Sequence, residues 1–439
     1  MADKKTHCLK ESKVFCMAPW VHVHSLPNGK IMPCCISGHS GDFGNLYQDS
    51  IENIWNNDAY KTLRLKLLND IPVDECTRCY KEESWGNEWT YRKSFNAQYE
   101  NKYQELVEQL TDEKGYLSKM KFLRWDFRFS NLCNLACTTC SPTCSSAWVD
   151  VIEKMGWDYQ QEKFKTSKQD LALFVNTIKT QADAVDNIYL AGGEPLIQAE
   201  HYEILKQIDD IDRLDKINFT YSTNLTSLTY KSTSVMYYWN RMANLKVLVS
   251  LDDIDAERLY YIRYPAKLNV IIDNIKILNE NFNRANLHLG CKRWTLTPTW
   301  SLMNIHRIKE ISIFFKENNL LPNIFFCSSE WESDFHNIIL TQPYHLAISV
   351  APIEWKNYIR SKLDEYTEWY LTDMISLKQD FIKKSATTIF LNNVKRFYNA
   401  LDEPGKINSD AHKEWYSRLD KARDTDFAKT FPELAWHVQ

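Results

Sequence analysis

Residues 133–140 read Cys-Asn-Leu-Ala-Cys-Thr-Thr-Cys, which spaces three thiols as C-x₃-C-x₂-C at Cys133, Cys137 and Cys140. The stretch directly follows residues 122–129, whose alternating pattern predicts a β-strand. Three cysteine thiolates can hold three irons of a [4Fe–4S] cluster and leave the fourth iron open to a ligand. We therefore expect these three cysteines to bind such a cluster at the end of a strand.

A second motif ends the next predicted strand, at residues 187–191. It is the run Gly192-Gly193-Glu194-Pro195. Two glycines let the backbone approach a ligand closely, and proline fixes the direction in which the chain leaves. Alone, the run would indicate an ordinary turn. Its position on the strand that follows the three cysteines favours a binding site.

The two motifs together resemble those of the radical S-adenosylmethionine (SAM) superfamily. The resemblance implies that SAM binds the open iron of the cluster held by Cys133, Cys137 and Cys140. It also implies that the motif formed by Gly192, Gly193, Glu194 and Pro195 holds the amino group of SAM. Many members carry an aromatic residue before the third cysteine, whereas this chain has Thr139, so contacts to adenine must come from elsewhere.

Strands and helices alternate between about residues 120 and 330, which predicts an α/β fold with parallel strands. The resemblance implies a partial (β/α)₆ TIM-like barrel with its active site at the carboxyl ends of the strands. The predicted strands are 122–129, 187–191, 217–222, 246–251, 294–299 and 323–327. The predicted helices between them include 199–209, 227–242, 267–281 and 304–318.

Polar residues alternate along the first predicted strand. Arg124, Asp126, Arg128 and Ser130 share one face, which either lines the barrel lumen or is an ordinary solvated face. The lumen offers three candidates for a general base, namely Asp126, Asp252 and Tyr221.

Weaker matches to the family follow at the ends of later strands. The resemblance implies that Ser222 and Asn224 contact the ribose of SAM, and that Ser250 and Asp252 form an S-x-D motif found in peptide-modifying members. Arg263 is a candidate partner for the SAM carboxylate, and a surface ion pair is the alternative.

The N-terminal region holds a second cysteine set. Cys16, Cys34, Cys76 and Cys79 are spaced with Gly29 before Cys34 in a C-x₁₂-G-x₄-C pattern and a later C-x₂-C. The pattern resembles the SPASM and twitch auxiliary-cluster domains, which implies four ligands to a second [4Fe–4S] cluster. Cys35 is the rival of Cys34. A zinc site is the alternative, although the gap between Cys34 and Cys76 is long for a zinc ribbon.

Composition narrows the functional class. The chain has 439 residues, 53 basic and 57 acidic, with a net charge of −4, so it lacks the strong basic excess of a nucleic-acid binder. Such a partner is not indicated. Twelve cysteines without a signal peptide or an apolar membrane-spanning run favour metal chemistry in a cytoplasmic protein.

Four regions are expected. They are an auxiliary-cluster module (1–80), a helical linker with a charged surface (81–120), the barrel (121–330) and an aromatic-rich helical region (331–439). The last region either forms core or caps the barrel mouth. Cys8, Cys291 and Cys327 are expected to be free thiols, and Cys144 a packed thiol on the helix after Cys140.

The resemblance implies reductive cleavage of SAM to a 5′-deoxyadenosyl radical, which takes hydrogen from a substrate. A peptide or protein side chain is the favoured substrate of this expected oxidoreductase. A sugar, another small metabolite and a nucleic-acid base are alternatives, and a non-catalytic iron–sulfur scaffold or electron carrier is a further one. A flavodoxin or ferredoxin is the expected electron donor, and the auxiliary cluster either accepts an electron from the substrate or supports the fold.

Overall fold

The structure, a computed structural model, describes residues 9, 11–38, 41–87, 90–157, 183–282, 293–318, 338–377, 380–405 and 409–437. The strand predicted at 323–327 and the thiols of Cys8, Cys291 and Cys327 lie outside the described residues.

Short strands occur along the first three quarters of the chain. They are β1 His22–Ser25, β2 Ile31–Met32, β3 Arg124–Phe127, β4 Ala136–Cys137, β5 Asn187–Leu190, β6 Asn218–Thr223, β7 Thr229–Tyr230, β8 Thr233–Ser234, β9 Asn244–Val249, β10 Arg263–Tyr264, β11 Trp294–Leu296, β12 Thr299–Trp300 and β13 Ile338–Ile339. Seven of them form one sheet in the order β11-β9-β6-β5-β3-β1-β2. Neighbours in this sheet are parallel except β1 and β2, which confirms an α/β fold with a parallel sheet.

Helices connect the strands and continue beyond them. In the N-terminal part they are Ala18–Val21, Ile51–Trp55, Asp58–Leu68, Thr77–Ser84 and Tyr91–Gln98. Among the strands they are Ala147–Lys154, Ala199–Asp210, Met236–Trp239, Ala256–Ile262, Leu268–Phe282 and Ile308–Glu317. The last are Ile353–Trp369, Asp380–Asp402, Ser409–Arg423 and Phe427–Thr430. None of the helices in the described ranges combines the length and apolar character needed to cross a membrane.

Two predicted elements differ from the structure. The strand expected at 294–299 is divided into β11 and β12 because Pro298 lies between them and has no N–H for the ladder. The helix expected at 227–242 is reduced to Met236–Trp239, and the antiparallel pair β7–β8 precedes it. Side-chain hydroxyls explain this second difference, since Ser227 and Ser234 accept backbone hydrogen bonds from Thr229 and Met236 and so compete with a helix.

The N-terminal cysteine region is joined to the parallel sheet by strand pairing. Strand β1 pairs in parallel with β3, in the register His22↔Arg124 to Ser25↔Phe127. Strand β2 then pairs with the other edge of β1. Val21 and Val23 are fully buried in this region. The pairing fixes the two cysteine sets relative to one another through backbone hydrogen bonds.

The shared sheet predicts shared stability. Val23→Ala removes two methyl groups from a fully buried site and should lower the free energy of unfolding by about 2 kcal/mol. Ile71→Ala is the control, because Ile71 is 49% exposed in the same N-terminal region. Denaturant unfolding, followed by fluorescence, measures both changes. Equal effects of the two substitutions would contradict a buried junction at β1.

Candidate functional site

The loop after β3 carries the first three candidate cysteines and is fixed by backbone contacts. Cys140 N–H donates to the Cys137 carbonyl at 3.0 Å, and Ser146 N–H donates to the Asn131 carbonyl at 2.6 Å. Strand β4, which contains Cys137, pairs with β10. Burial, and then the neighbouring Cys137, raise the pKa of Cys133 to about 12. Iron binding at these thiols must therefore displace their protons.

The loop after β5 lies directly against this cysteine loop. Gly193 N–H donates to the Cys144 carbonyl at 3.0 Å, and Glu194 N–H donates to the Leu132 carbonyl at 2.8 Å. Gly193 has φ +56°, and a Cβ on it would lie 2.3 Å from the Leu132 carbonyl oxygen. Only glycine fits this contact. The two sequence motifs thus meet at the carboxyl ends of adjacent parallel strands.

Glu194 is a buried carboxyl group with three hydrogen-bond donors. Thr223 Oγ1 donates to Oε1 at 2.7 Å, and the backbone N–H groups of Asn224 and Leu196 donate at 2.6 and 3.1 Å. Burial raises its pKa to about 7, although these donors oppose the shift. Asn224 in turn donates through Nδ2 to Asn134 Oδ1 at 2.9 Å. Glu194 and Asn224 therefore connect the end of β6 to the cysteine loop.

Arg263 and Asp252 form a buried ion pair beside Cys137. Arg263 Nε lies 2.7 Å from Asp252 Oδ2, and Arg263 Nη1 lies 3.7 Å from Cys137 Sγ. Asp252 Oδ1 accepts from the Thr299 N–H at 2.7 Å. Since Arg263 is only 7% exposed, the surface ion pair considered from the sequence is wrong. Asp252 is engaged in orienting Arg263.

The polar face of β3 forms a second buried cluster. Asp126 is fully buried, and Arg128 donates to both of its carboxylate oxygens at 2.8 and 3.2 Å. His24 Nδ1 lies 3.2 Å from Asp126 Oδ2. Burial raises the pKa of Asp126, but Arg128 and His24 outweigh burial and hold it well below its usual range. A solvated face is thus excluded for Asp126.

The same face continues onto neighbouring strands. The Arg128 guanidinium lies 5.2 Å from the centre of the Tyr189 ring, and Tyr189 Oη lies 2.7 Å from Ser222 Oγ. Ser250 follows β9, and its N–H donates to the Thr223 carbonyl at 2.9 Å.

Tyr221 does not lie on this face, and the prediction that it lines the lumen is wrong. Strand register places it beside Val247, on the face opposite to Tyr189 and Thr220. Its hydroxyl lies 3.0 Å from His201 Nε2 of helix Ala199–Asp210, and its ring packs edge-on against Trp239. Side chains alternate along a strand, so Tyr221 packs against the helices.

The four predicted N-terminal ligands line one cavity. Cys16, Cys34, Cys76 and Cys79 surround it, and helix Tyr91–Gln98 closes it. Burial is the main cause of the raised pKa values, which reach about 11 for Cys76 and about 12 for Cys79. The charge of each thiolate would also oppose ionisation of the others, which places the four close together. Helix Tyr91–Gln98 lies beyond residue 80, the predicted end of the auxiliary-cluster module.

Cys34 and Cys35 have different surroundings. Cys34 lies near Cys16, Cys76 and Cys79. Cys35 instead forms a hydrogen bond with Tyr91 and lies near Asp126 and Arg128. The arrangement favours Cys34 as the fourth member of the N-terminal set.

Cys144 differs from its prediction as a packed thiol on a helix. It is exposed and lies in a turn before helix Ala147–Lys154. Hydrogen bonding to Cys140 lowers the pKa of Cys144.

A cavity of about 130 Å³ lies between the two cysteine sets. Cys34 and Cys35 line it on one side, and Gly192 and Cys144 on another. His24, Arg128 and Ser37 provide its polar groups, and Leu26, Pro27 and Met32 its apolar ones. Sequence reasoning missed His24. The alternation of His22, Val23 and His24 was the available signal, because it indicates a strand with one polar face.

Comparisons with known families agree with this arrangement. Residues 127–304 match the family described as the radical SAM superfamily. These residues therefore form a radical SAM domain. Residues 16–80 match SPASM, described as an iron–sulfur cluster-binding domain. The two matches confirm the families predicted from the sequence.

Solved structures with similarity to this chain are distant. Streptococcus suis SuiB bound to S-adenosylmethionine has 15% identity and a TM-score of 0.34, over 70% of this chain and 61% of SuiB. SuiB bound to the precursor peptide SuiA has 15% identity and a TM-score of 0.33, over 60% and 54%. TYW1 with a lysine–pyruvate adduct has 15% identity and a TM-score of 0.26, over 46% and 60%. The chain thus spans less than two thirds of the length of these structures. No curated protein matches it.

The residues present fit the cofactors that the family implies. Three free thiols beside a glycine-rich loop suit a cluster with an open iron, and four free thiols around one cavity suit a closed cluster. In the described parts of the chain, no group of His, Cys, Asp or Glu side chains is arranged to hold a single metal ion.

Close contact between the two loops predicts that Gly193 is intolerant of substitution. Gly193→Ala should lower iron binding and SAM cleavage strongly, because its Cβ would push the glycine loop off the cysteine loop. Gly86→Ala is a matched control, since Gly86 has φ +91° but no atom within 4 Å of an added Cβ, so it costs about 1 kcal/mol of backbone strain alone. Full iron content and activity in Gly193→Ala would contradict the contact.

Adjacent cysteines provide a second prediction. Cys34→Ala should lower the iron content by about four per chain, whereas Cys35→Ala should leave it unchanged, because only Cys34 lies among the other three thiols. Iron and sulfide analysis after anaerobic reconstitution measures this. The reverse result would make Cys35 the ligand.

Proposed function

We propose that this chain is a radical SAM enzyme that reductively cleaves SAM and abstracts hydrogen from a substrate. When bound, the cluster and SAM supply a 5′-deoxyadenosyl radical that can attack an unactivated C–H bond. The observation that carries the proposal is the contact between the two motif loops, through Gly193 and Glu194. The parallel strands belong, in this proposal, to a partial (β/α)₆ barrel, with a module at 1–80, a linker at 81–120 and a helical region at 331–439 around it.

The protein's part is to bind, orient and exclude water. Cys133, Cys137 and Cys140 hold the SAM-binding cluster, and Cys16, Cys34, Cys76 and Cys79 hold the auxiliary cluster. The SAM site is lined, in this proposal, by Gly192, Gly193, Glu194, Pro195, Ser222, Asn224, Ser250, Asp252 and Arg263. Glu194, hydrogen-bonded and buried, keeps this site rigid. Asp126 lies on the polar face, but its ion pairs with Arg128 and His24 hold its pKa low and make it a weak base, so we name no general base.

The cavity between the cysteine sets favours a side chain as the reacting group. A cavity of about 150 Å³ holds a benzene-sized ligand, and this one measures about 130 Å³. Its mixed lining suits one side chain of a peptide or protein better than a flipped nucleobase with its sugar. A small metabolite is the second candidate. In this proposal the protein is a cytoplasmic oxidoreductase, and a flavodoxin or ferredoxin donates the electron.

A scaffold or electron carrier has no need of a substrate cavity or a glycine loop at the cluster. The test is anaerobic reconstitution with iron and sulfide, reduction with dithionite in the presence of SAM, and assay of 5′-deoxyadenosine. Wild type should form 5′-deoxyadenosine. The Cys133→Ala/Cys137→Ala/Cys140→Ala variant should form none while it retains about four irons.

Each result decides one part of the proposal. Absence of SAM cleavage by fully reconstituted wild type would favour the electron-carrier alternative. Zinc in place of the retained iron would overturn the auxiliary iron–sulfur cluster and leave the radical SAM proposal intact.

A further inference from the structure

The C-terminal helix Ser409–Arg423 ends against the cysteine loop. Its last residue, Arg423, is 2% exposed. Arg423 Nη2 donates to the Ala136 carbonyl at 2.5 Å, and Nη1 donates to the Tyr261 carbonyl at 3.3 Å. A residue near the end of the chain therefore reaches the peptide bond that precedes Cys137.

The guanidinium of Arg423 is held between two aromatic rings. It lies 4.6 Å from the centre of the Trp148 ring and 5.0 Å from that of Tyr264, distances at which cation–π attraction operates. Trp148 Nε1 donates to the Cys137 carbonyl at 2.9 Å. The carbonyls on both sides of the Cys137 Cα are thus fixed, one by Arg423 and the other by Trp148.

Two guanidinium groups lie near Cys137. Arg263 approaches its sulfur on the sheet side, and Arg423 lies beyond its backbone. One cation therefore lies at the sulfur of Cys137 and the other at the peptide bond that precedes it.

Burial of Arg423 has a cost that its hydrogen bonds do not fully offset. Its Nε is buried without a hydrogen-bond partner among the described residues, and burial lowers its pKa to about 10. An unpartnered polar atom in a buried cation destabilises a fold. A packing role alone would be met equally well by an apolar side chain.

We propose that Arg423 is a positioning residue for the SAM-binding cluster, which fixes the backbone at Cys137 and supplies a permanent positive charge beside this ligand. The inference rests on the proposed role of Cys137 as an iron ligand. It assigns a function to the C-terminal helical region, which sequence reasoning treated as core or as a cap.

Variants of two arginines on the same helix test this inference. Arg423→Gln removes the charge, and Arg423→Lys keeps the charge but cannot bridge two carbonyls between two rings. Arg418→Gln is the matched control, because Arg418 also donates to a backbone carbonyl, that of Met155 at 3.1 Å, but does not reach the cysteine loop. Circular dichroism and retention of auxiliary iron check that each variant folds.

Three measurements that do not depend on turnover separate positioning from packing. In the apo protein, the alkylation rate of Cys137, followed by mass spectrometry and extrapolated to full ionisation of the thiol, should be faster in Arg423→Gln than in wild type or Arg418→Gln, because the loop is no longer fixed. In reconstituted protein with the four auxiliary cysteines intact, iron at the SAM site should be lost to a chelator about tenfold faster in Arg423→Gln. In Arg423→Gln, the electron paramagnetic resonance signal of the reduced cluster should appear at a more negative potential than in wild type. Arg423→Lys keeps the charge but not both carbonyl contacts, so it should restore the potential more fully than the alkylation rate.

Arg423→Gln that matches Arg418→Gln in all three measurements would overturn the inference. If Arg423→Gln does not fold, the alkylation rate of Arg423→Lys is compared with that of Arg418→Gln, and equal rates overturn the inference. Failure of the proposed function is distinguishable, because wild type would then form no 5′-deoxyadenosine, whereas the apo alkylation rates would still report whether Arg423 holds Cys137.

Discussion

The parallel pairing of β1 with β3 is the constraint on which the two-centre arrangement depends. Backbone hydrogen bonds in a fixed register place His24 beside Asp126, so the N-terminal region contributes side chains to the polar face of the sheet. A one-residue slip would turn His24 away from that face. The cavity between the cysteine sets therefore exists only because a segment some hundred residues upstream is part of the same sheet.

Two buried ion pairs lie near the candidate site. Asp126 pairs with Arg128 at 2.8 Å, and Asp252 pairs with Arg263 at 2.7 Å. The first pair lies beside the cavity, which Arg128 lines, and the second lies beside Cys137. Because unpaired buried charges are costly, each arginine offsets the burial of its carboxylate.

Motif spacing predicted the parts of the site that depend on local sequence. The cysteine loop, the glycine loop and the Glu194 region needed only residue order and the ends of strands, and five strand positions followed from alternation. Contacts between distant segments were not predictable in this way. Tyr221 was assigned to the wrong face because a polar hydroxyl does not reveal which side of a strand carries the helices, and its partner His201 lies on one of those helices. The alternation in β1 indicates a strand, but it does not reveal that the strand pairs with β3, about a hundred residues later in the chain.

The C-terminal region shows what aromatic residues at helical spacing leave undetermined in residues 331–439. Trp and Tyr at helical spacing indicate packing, but they do not tell which loop is packed. Phe431 and Tyr416 enclose Phe427 and Tyr261 in a small apolar cluster of their own, separate from the main core. This cluster includes Ala136 and Trp148, the neighbours of Cys137 in the fold. The aromatic residues thus support the cysteine loop, and the hydrogen bond from Trp148 to the Cys137 carbonyl joins their cluster to it.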